Sequence, residues 1–124
     1  MKEACPCGLG AAFEACCGRY MGTGVATPDA ESLMRSRYTA FVRGDAAHLL
    51  ATWHASTRPR TLELEPGLKW LGLEVKRHTP LDAARAEVEF VARSRLQGRG
   101  QRLHERSRFV CEEGHWLYVD GDLL

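Results

Sequence analysis

The sequence predicts an α+β protein: a small cysteine-rich knuckle, then two helices, then about four antiparallel strands. Three observations predict it. Four of the five cysteines fall within CPCGLGAAFEACCG, residues 5–18. Apolar residues then recur at helical spacing up to residue 53, and from residue 68 onward the period drops to two.

A chain of 124 residues is one domain with room for a small appendage. Apolar residues make up 44%, enough for a core, which argues against wholesale disorder. Seventeen Lys and Arg against sixteen Asp and Glu argue against a dedicated nucleic-acid binder. Arg93, Arg95, Arg99, Arg102, Arg106 and Arg108 do cluster, and they read as the solvated face of a sheet. No signal peptide is visible, and no apolar stretch is long enough to span a bilayer. The expectation is therefore a cytoplasmic, reducing setting, in which thiols more often hold metal or do chemistry than form structural disulfides.

Cys5 and Cys7, then Cys16 and Cys17, form two ligand pairs joined by a short loop. Four thiolates suit one tetrahedral zinc ion. Gly8, Gly10 and Gly18 lie beside the pairs, Pro6 fixes the backbone between the first two, and Lys2 and Arg19 flank the cluster. Spacing and compartment point to one structural zinc per chain, ahead of cross-paired disulfides or redox thiols. With all four positions filled by protein, the ion has no open position for catalysis. A knuckle of this size, residues 1–22, draws most of its folding free energy from metal. Residues 18–26 read as a linker to the main domain, residues 27–124.

The first helix runs through TPDAESLMRSRYTAFVRG. Thr27 can cap it, Pro28 suits its first position, and Ala30, Leu33, Met34, Tyr38, Phe41 and Val42 make the buried stripe. Gly44 stops it, and Asp45 caps a short second helix carrying Leu49, Leu50 and Trp53. Residues 54–67 read as a loop held by Pro59 and Pro66. Residues 68–78 give a first strand with Leu71, Leu73 and Val75 on one face. In residues 85–97, Ala86, Val88, Phe90, Ala92, Ser94 and Leu96 alternate with charged residues. LQGRGQR turns the chain into a third strand, residues 102–112, and Gly114 turns it into the last, HWLYVDGD.

CPCGLGAAFEACCG resembles the SEC-C motif, a small zinc-binding element first seen at the C-terminus of the SecA translocation ATPase. The resemblance implies a docking element for a protein partner. It widens over MRSRYTAFVRGD, TWHASTRP, VEFVARSRLQG, LHERSRFV and GHWLYVDGD, which together resemble the YchJ-like family of bacterial proteins without an established activity. That resemblance implies a body similar to nuclear transport factor two, a cystatin-like cone of curved sheet around helices. Some members carry a second SEC-C motif, which this chain does not have before Leu124. Cones of this kind often dimerise, so a homodimer is a further expectation.

Cones can hold a ligand at the open end, so polar residues on the core-facing row matter most. Glu105 and Ser107 share a face of the third strand with Leu103, Phe109 and Cys111. An unpaired buried carboxylate is costly. Its candidate partners are Arg37 and Tyr38 on the first helix, His54 and Arg58 after the second, and Trp116, Tyr118 and Asp120 on the last strand. One reading is a brace, Glu105 pairing with Arg37 or Arg58 across the cone mouth. The other follows ketosteroid isomerase, which shares the general fold: Glu105 or Asp120 as base, Tyr38 or Tyr118 as donor. His54 can also simply bind last-turn carbonyls, while His48, His104 and His115 read as solvent-facing. Cys111, Trp53, Trp70 and Trp116 read as packing residues. The expected function is a binding or adaptor module with a protein partner at the knuckle and a small ligand in the cone. The alternative is an isomerase, dehydratase or hydrolase working through a carboxylate in the cone.

Overall fold

A computed structural model describes residues 3–124; Lys2 of the flanking pair lies outside the described residues. Helix α1 spans Ala30–Arg43 and α2 Ala46–Ala51; β1 (Lys69–Asp82), β2 (Arg85–Leu96), β3 (Arg99–Glu112) and β4 (His115–Leu123) follow. The strands form one antiparallel sheet in the order β1-β2-β3-β4, as expected.

Helix α1 starts two residues later than the sequence suggested. The Asp29 carboxylate accepts from the Ser32 N–H at 2.8 Å and is the cap. Thr27 is instead buried, and its hydroxyl has no hydrogen-bond partner among the described residues. Gly44 ends the helix in the left-handed region at φ 72°, and Asp45 caps α2 through the His48 N–H at 3.0 Å.

Burial around α1 is wider than one stripe. Leu33, Met34 and Tyr38 face the sheet, but Ser36, Arg37 and Thr39 are buried too, while Val42 is 38% exposed. The reason is two further neighbours: α2 and the residue after it cover Ser36 and Arg37, and the cysteine knuckle packs against Thr39. Thr39 Oγ1 lies 3.7 Å from Cys5 Sγ, and Arg35 Nη1 donates to the Cys7 carbonyl at 2.9 Å. The Arg43 guanidinium stacks on Phe13, 4.0 Å from the ring centre. His48, expected in solvent, is buried against Ser36, with Nε2 2.9 Å from Oγ. Because the Ser36 hydroxyl donates to the Leu33 carbonyl, His48 Nε2–H is the donor of that pair.

Strand β2 alternates without a bulge, with Ala86, Val88, Phe90, Ala92 and Ser94 buried on the inner face, and Val91, between them in sequence, is buried as well. Strand β1 does not. Register shifts at Leu71, Lys76 and Leu81 let Trp70, Leu73 and Val75 all face inward, and Leu71, expected in that row, is 53% exposed. Two tight turns close the later hairpins. In each, both central residues have positive φ: Gln97 and Gly98 at 52° and 79°, Glu113 and Gly114 at 52° and 80°. The outer face is ionic: His104 meets Glu89 at 2.7 Å, and Arg106 and Arg108 meet Asp122. Arg93, Arg95, Arg99 and Arg102 are exposed there and around the β2–β3 turn.

Candidate functional site

The four knuckle cysteines are buried, and their sulfurs all lie within 4.8 Å of one another. Cys7 and Cys16 are 3.6 Å apart, close to the sulfur spacing that tetrahedral bonds of about 2.3 Å impose. All five cysteines are free thiols. The donor set therefore fits one soft, tetrahedral metal ion. Packed together, the thiols divide their protons unequally. A hydrogen bond from Cys17 does most to lower Cys7 to about 5. Burial and the neighbouring sulfurs push Cys16 up to about 11, and the bond to Cys7 pushes Cys17 up as well. A cluster that gives up its first proton readily and resists the next needs a cation before all four can ionise.

The second site is a chamber of about 280 Å³ between α1 and the inner face of the sheet. At about 30 Å³ per liquid water it offers the room of roughly nine waters. Met34, Tyr38 and Phe41 wall it from α1, Trp70 from β1 and Phe90 and Ala92 from β2. Leu103, Glu105, Ser107 and Phe109 come from β3, and Tyr118 from β4. Aromatic rings dominate these walls, and several stack on one another. Tyr38 meets Trp70 edge-on at 5.7 Å between centres, and Trp53 meets Tyr118 at 5.2 Å.

Arg37 is the cation of the chamber, with only 6% of its surface exposed. Its guanidinium is 5.0 Å from the Trp53 ring and 4.6 Å from the Tyr118 ring, and its Nη1 donates to the Leu49 carbonyl and to Thr52 Oγ1, each at 2.8 Å. Burial lowers it to about 10, so it stays charged at neutral pH. Burial pushes Tyr118 up to about 12, aided by the Glu105 charge, so its phenol stays protonated. Glu105 Oε2 accepts from the Ser107 hydroxyl. Gly121 makes room for that carboxylate: a Cβ there would come within 2.5 Å of Oε2.

The chamber thus brings together Arg37, Tyr38, Trp53, Glu105, Ser107 and Tyr118. It leaves out four other candidates. Asp120 is on the outer face, bonded to Arg108 Nε at 2.6 Å. The reason is a register shift at Val119, which sets Tyr118 opposite Phe109 and Asp120 opposite Arg108 and so breaks the alternation. Thr57 braces that bulge by donating to the Val119 carbonyl. His54 pairs with Glu112 at 2.8 Å and with Ser56, away from the chamber and from the last-turn carbonyls of α2. Arg58 is exposed, and Trp116 packs at the margin of the core. The proposed brace is absent among the described residues: neither Arg37 nor Arg58 forms an ion pair with Glu105, whose hydrogen bond comes from Ser107. Sequence reasoning missed Gly121, although a glycine inside a strand is itself a signal of close approach.

Fold and cysteine cluster define a class: an NTF2-like domain carrying an N-terminal SEC-C motif. Residues 29–121 match the model of the YchJ middle NTF2-like domain, and residues 1–19 match the SEC-C motif. The chain belongs to the YchJ family, and similar curated proteins carry the name UPF0225. It is 61% identical to a UPF0225 protein of Methylibium petroleiphilum, over 96% of this chain and 88% of that one. A Polaromonas sp. relative is 63% identical, over 95% and 91%. Among solved structures, a SEC-C motif containing protein from Rhodopseudomonas palustris superimposes with a TM-score of 0.87 at 30% identity, covering 100% of this chain and 99% of that one. A second, from Psychrobacter arcticus, gives 0.79 at 28% identity, covering 94% and 80%. No helix among the described residues is long and apolar enough to cross a membrane.

Proposed function

We propose that this protein is a zinc-stabilised binding module: the knuckle docks a protein partner and the chamber receives a small ligand. The observation that carries the reading is α1, which has Thr39 against the metal ligands and Arg37 and Tyr38 in the chamber wall. One rigid element then supports two binding surfaces. Zinc is the metal favoured by four buried thiolates, and it is structural, because no coordination position is left open. The docking surface is the loop between the ligand pairs. Gly8 and Gly10, at φ 87° and 92°, hold it in a shape that exposes 58% of Leu9.

Elemental analysis of the purified protein tests the foundation, with one zinc per chain expected; a metal-free folded protein would sink it. For docking, partner capture by the full chain is expected to fail for Leu9→Asp and survive in Glu105→Gln. Equal capture by both variants overturns that surface. One observation also favours a catalytic reading, since Glu105 and the protonated Tyr118 phenol line one aromatic chamber. Glu105 is then a general base and Tyr118 a hydrogen-bond donor to a developing oxyanion, the pairing an isomerase needs.

A further inference from the structure

The polar end of the chamber has unused hydrogen-bonding capacity of both kinds. Only Nη1 of Arg37 is engaged, so Nε and Nη2 make no hydrogen bond among the described residues. Glu105 accepts from Ser107 through Oε2 and lies beside the Tyr118 phenol, and because a carboxylate can accept about four hydrogen bonds it keeps capacity for a further donor. Both groups line the same chamber, where Tyr38, Ser107 and Tyr118 add hydroxyls and the rest of the wall is apolar and largely aromatic.

Charge narrows what can fill such a place. A guanidinium and a carboxylate in one low-dielectric chamber nearly cancel. A cationic ligand drawn to Glu105 meets Arg37, and an anionic one drawn to Arg37 meets Glu105. A neutral group that accepts and donates at once satisfies both without opposing either. A hydroxyl does this with a single atom. The body attached to it must pack among Phe41, Trp70 and Phe90, so it is an apolar ring.

We propose that the chamber binds a small neutral ring compound bearing a hydroxyl, a phenol or ring alcohol. Its oxygen accepts a hydrogen bond from Arg37 and its O–H donates one to Glu105. This rests on the reading of the chamber as a ligand site, and the test separates the two.

The metal-loaded full chain is titrated with 4-cresol, toluene, 4-methylanisole, benzylamine and benzoate, following the indole N–H resonances of Trp53 and Trp70 by NMR. A hydrogen bond to a charged group corresponds to about a ten- to hundredfold change in affinity. The expectation is that 4-cresol binds at least about tenfold tighter than toluene, which lacks the hydroxyl, and than 4-methylanisole, which keeps the oxygen but has a methyl in place of the donor proton. Glu105→Met is expected to erase that preference while toluene binding persists. Should that variant fail to fold, Gly121→Ala serves instead, because its Cβ displaces the carboxylate and keeps the charge. Equal binding of 4-cresol and toluene overturns the hydroxyl inference and leaves the chamber standing as an apolar site. Preference for benzylamine or benzoate overturns it likewise. If none of the five perturbs either indole, the chamber reading itself falls.

Discussion

His48 illustrates how one residue's surroundings set its response to pH. It is 7% exposed, hydrogen-bonded to Ser36, and burial lowers it below the ordinary histidine value, with Asp45 opposing and Arg37 adding to the shift. The unfolded chain therefore takes up a proton at a higher pH than the folded one. Stability from this group is full above about pH 6.5, the unfolded value. It is lost as the pH falls from there through the lowered folded value. Denaturant melts between pH 7 and pH 5 are expected to show this decline, and His48→Gln to flatten it. An unchanged slope in the variant would place the acid sensitivity elsewhere. Thr39 supports a second expectation. Its hydroxyl reaches Cys5 Sγ from a fully buried position, so Thr39→Val removes a ligand-orienting contact at nearly constant volume. Metal affinity, read by competition with a chromophoric chelator, is expected to fall about tenfold.

At the scale of elements, what could be read from the sequence divides along local and long-range lines. Both helices, the αL stop at Gly44 and the Asp45 cap were legible because each is decided by residues within one turn. Strand β2 was legible because its pairing with β3 carries no bulge, although Val91 is buried out of turn. The bulges were not, since Leu71 and Val119 carry no local mark, and a bulge reflects how two strands fit together. That one shift at Val119 moved Asp120 from the expected cone to the outer face, where it meets Arg108. In the same way, cysteine spacing pointed to the thiol cluster but not to its seat on α1. The contacts of Cys5 with Thr39 and Cys7 with Arg35 join residues 34 and 28 positions apart. Glu105 and Ser107 were found by asking which polar residues break an apolar row. Arg37 was found as a possible partner, but its stacking between Trp53 and Tyr118 was not foreseen.

For the molecule as a whole, the knuckle and the body are packed against each other. Residues 18–26, read as a linker, connect two parts that touch through Cys5, Cys7 and Phe13 on the knuckle and Thr39, Arg35 and Arg43 on α1. Metal removal should therefore be felt beyond the knuckle. Strong chelation is expected to lower the thermal midpoint of the full chain by more than about 5 °C. The amides of α1 are expected to lose hydrogen-exchange protection alongside those of residues 5–18. Loss confined to the knuckle would show that the two parts melt independently. The three irregularities in β1 carry another consequence. This strand is an outer edge of the sheet, with one side of its backbone unpaired by any neighbouring strand among the described residues. Shifts at Leu71, Lys76 and Leu81, together with Pro80, interrupt the regular row of donors and acceptors that an incoming strand would copy. The edge is thus a poor template for fibril growth or for sheet-to-sheet joining of two copies.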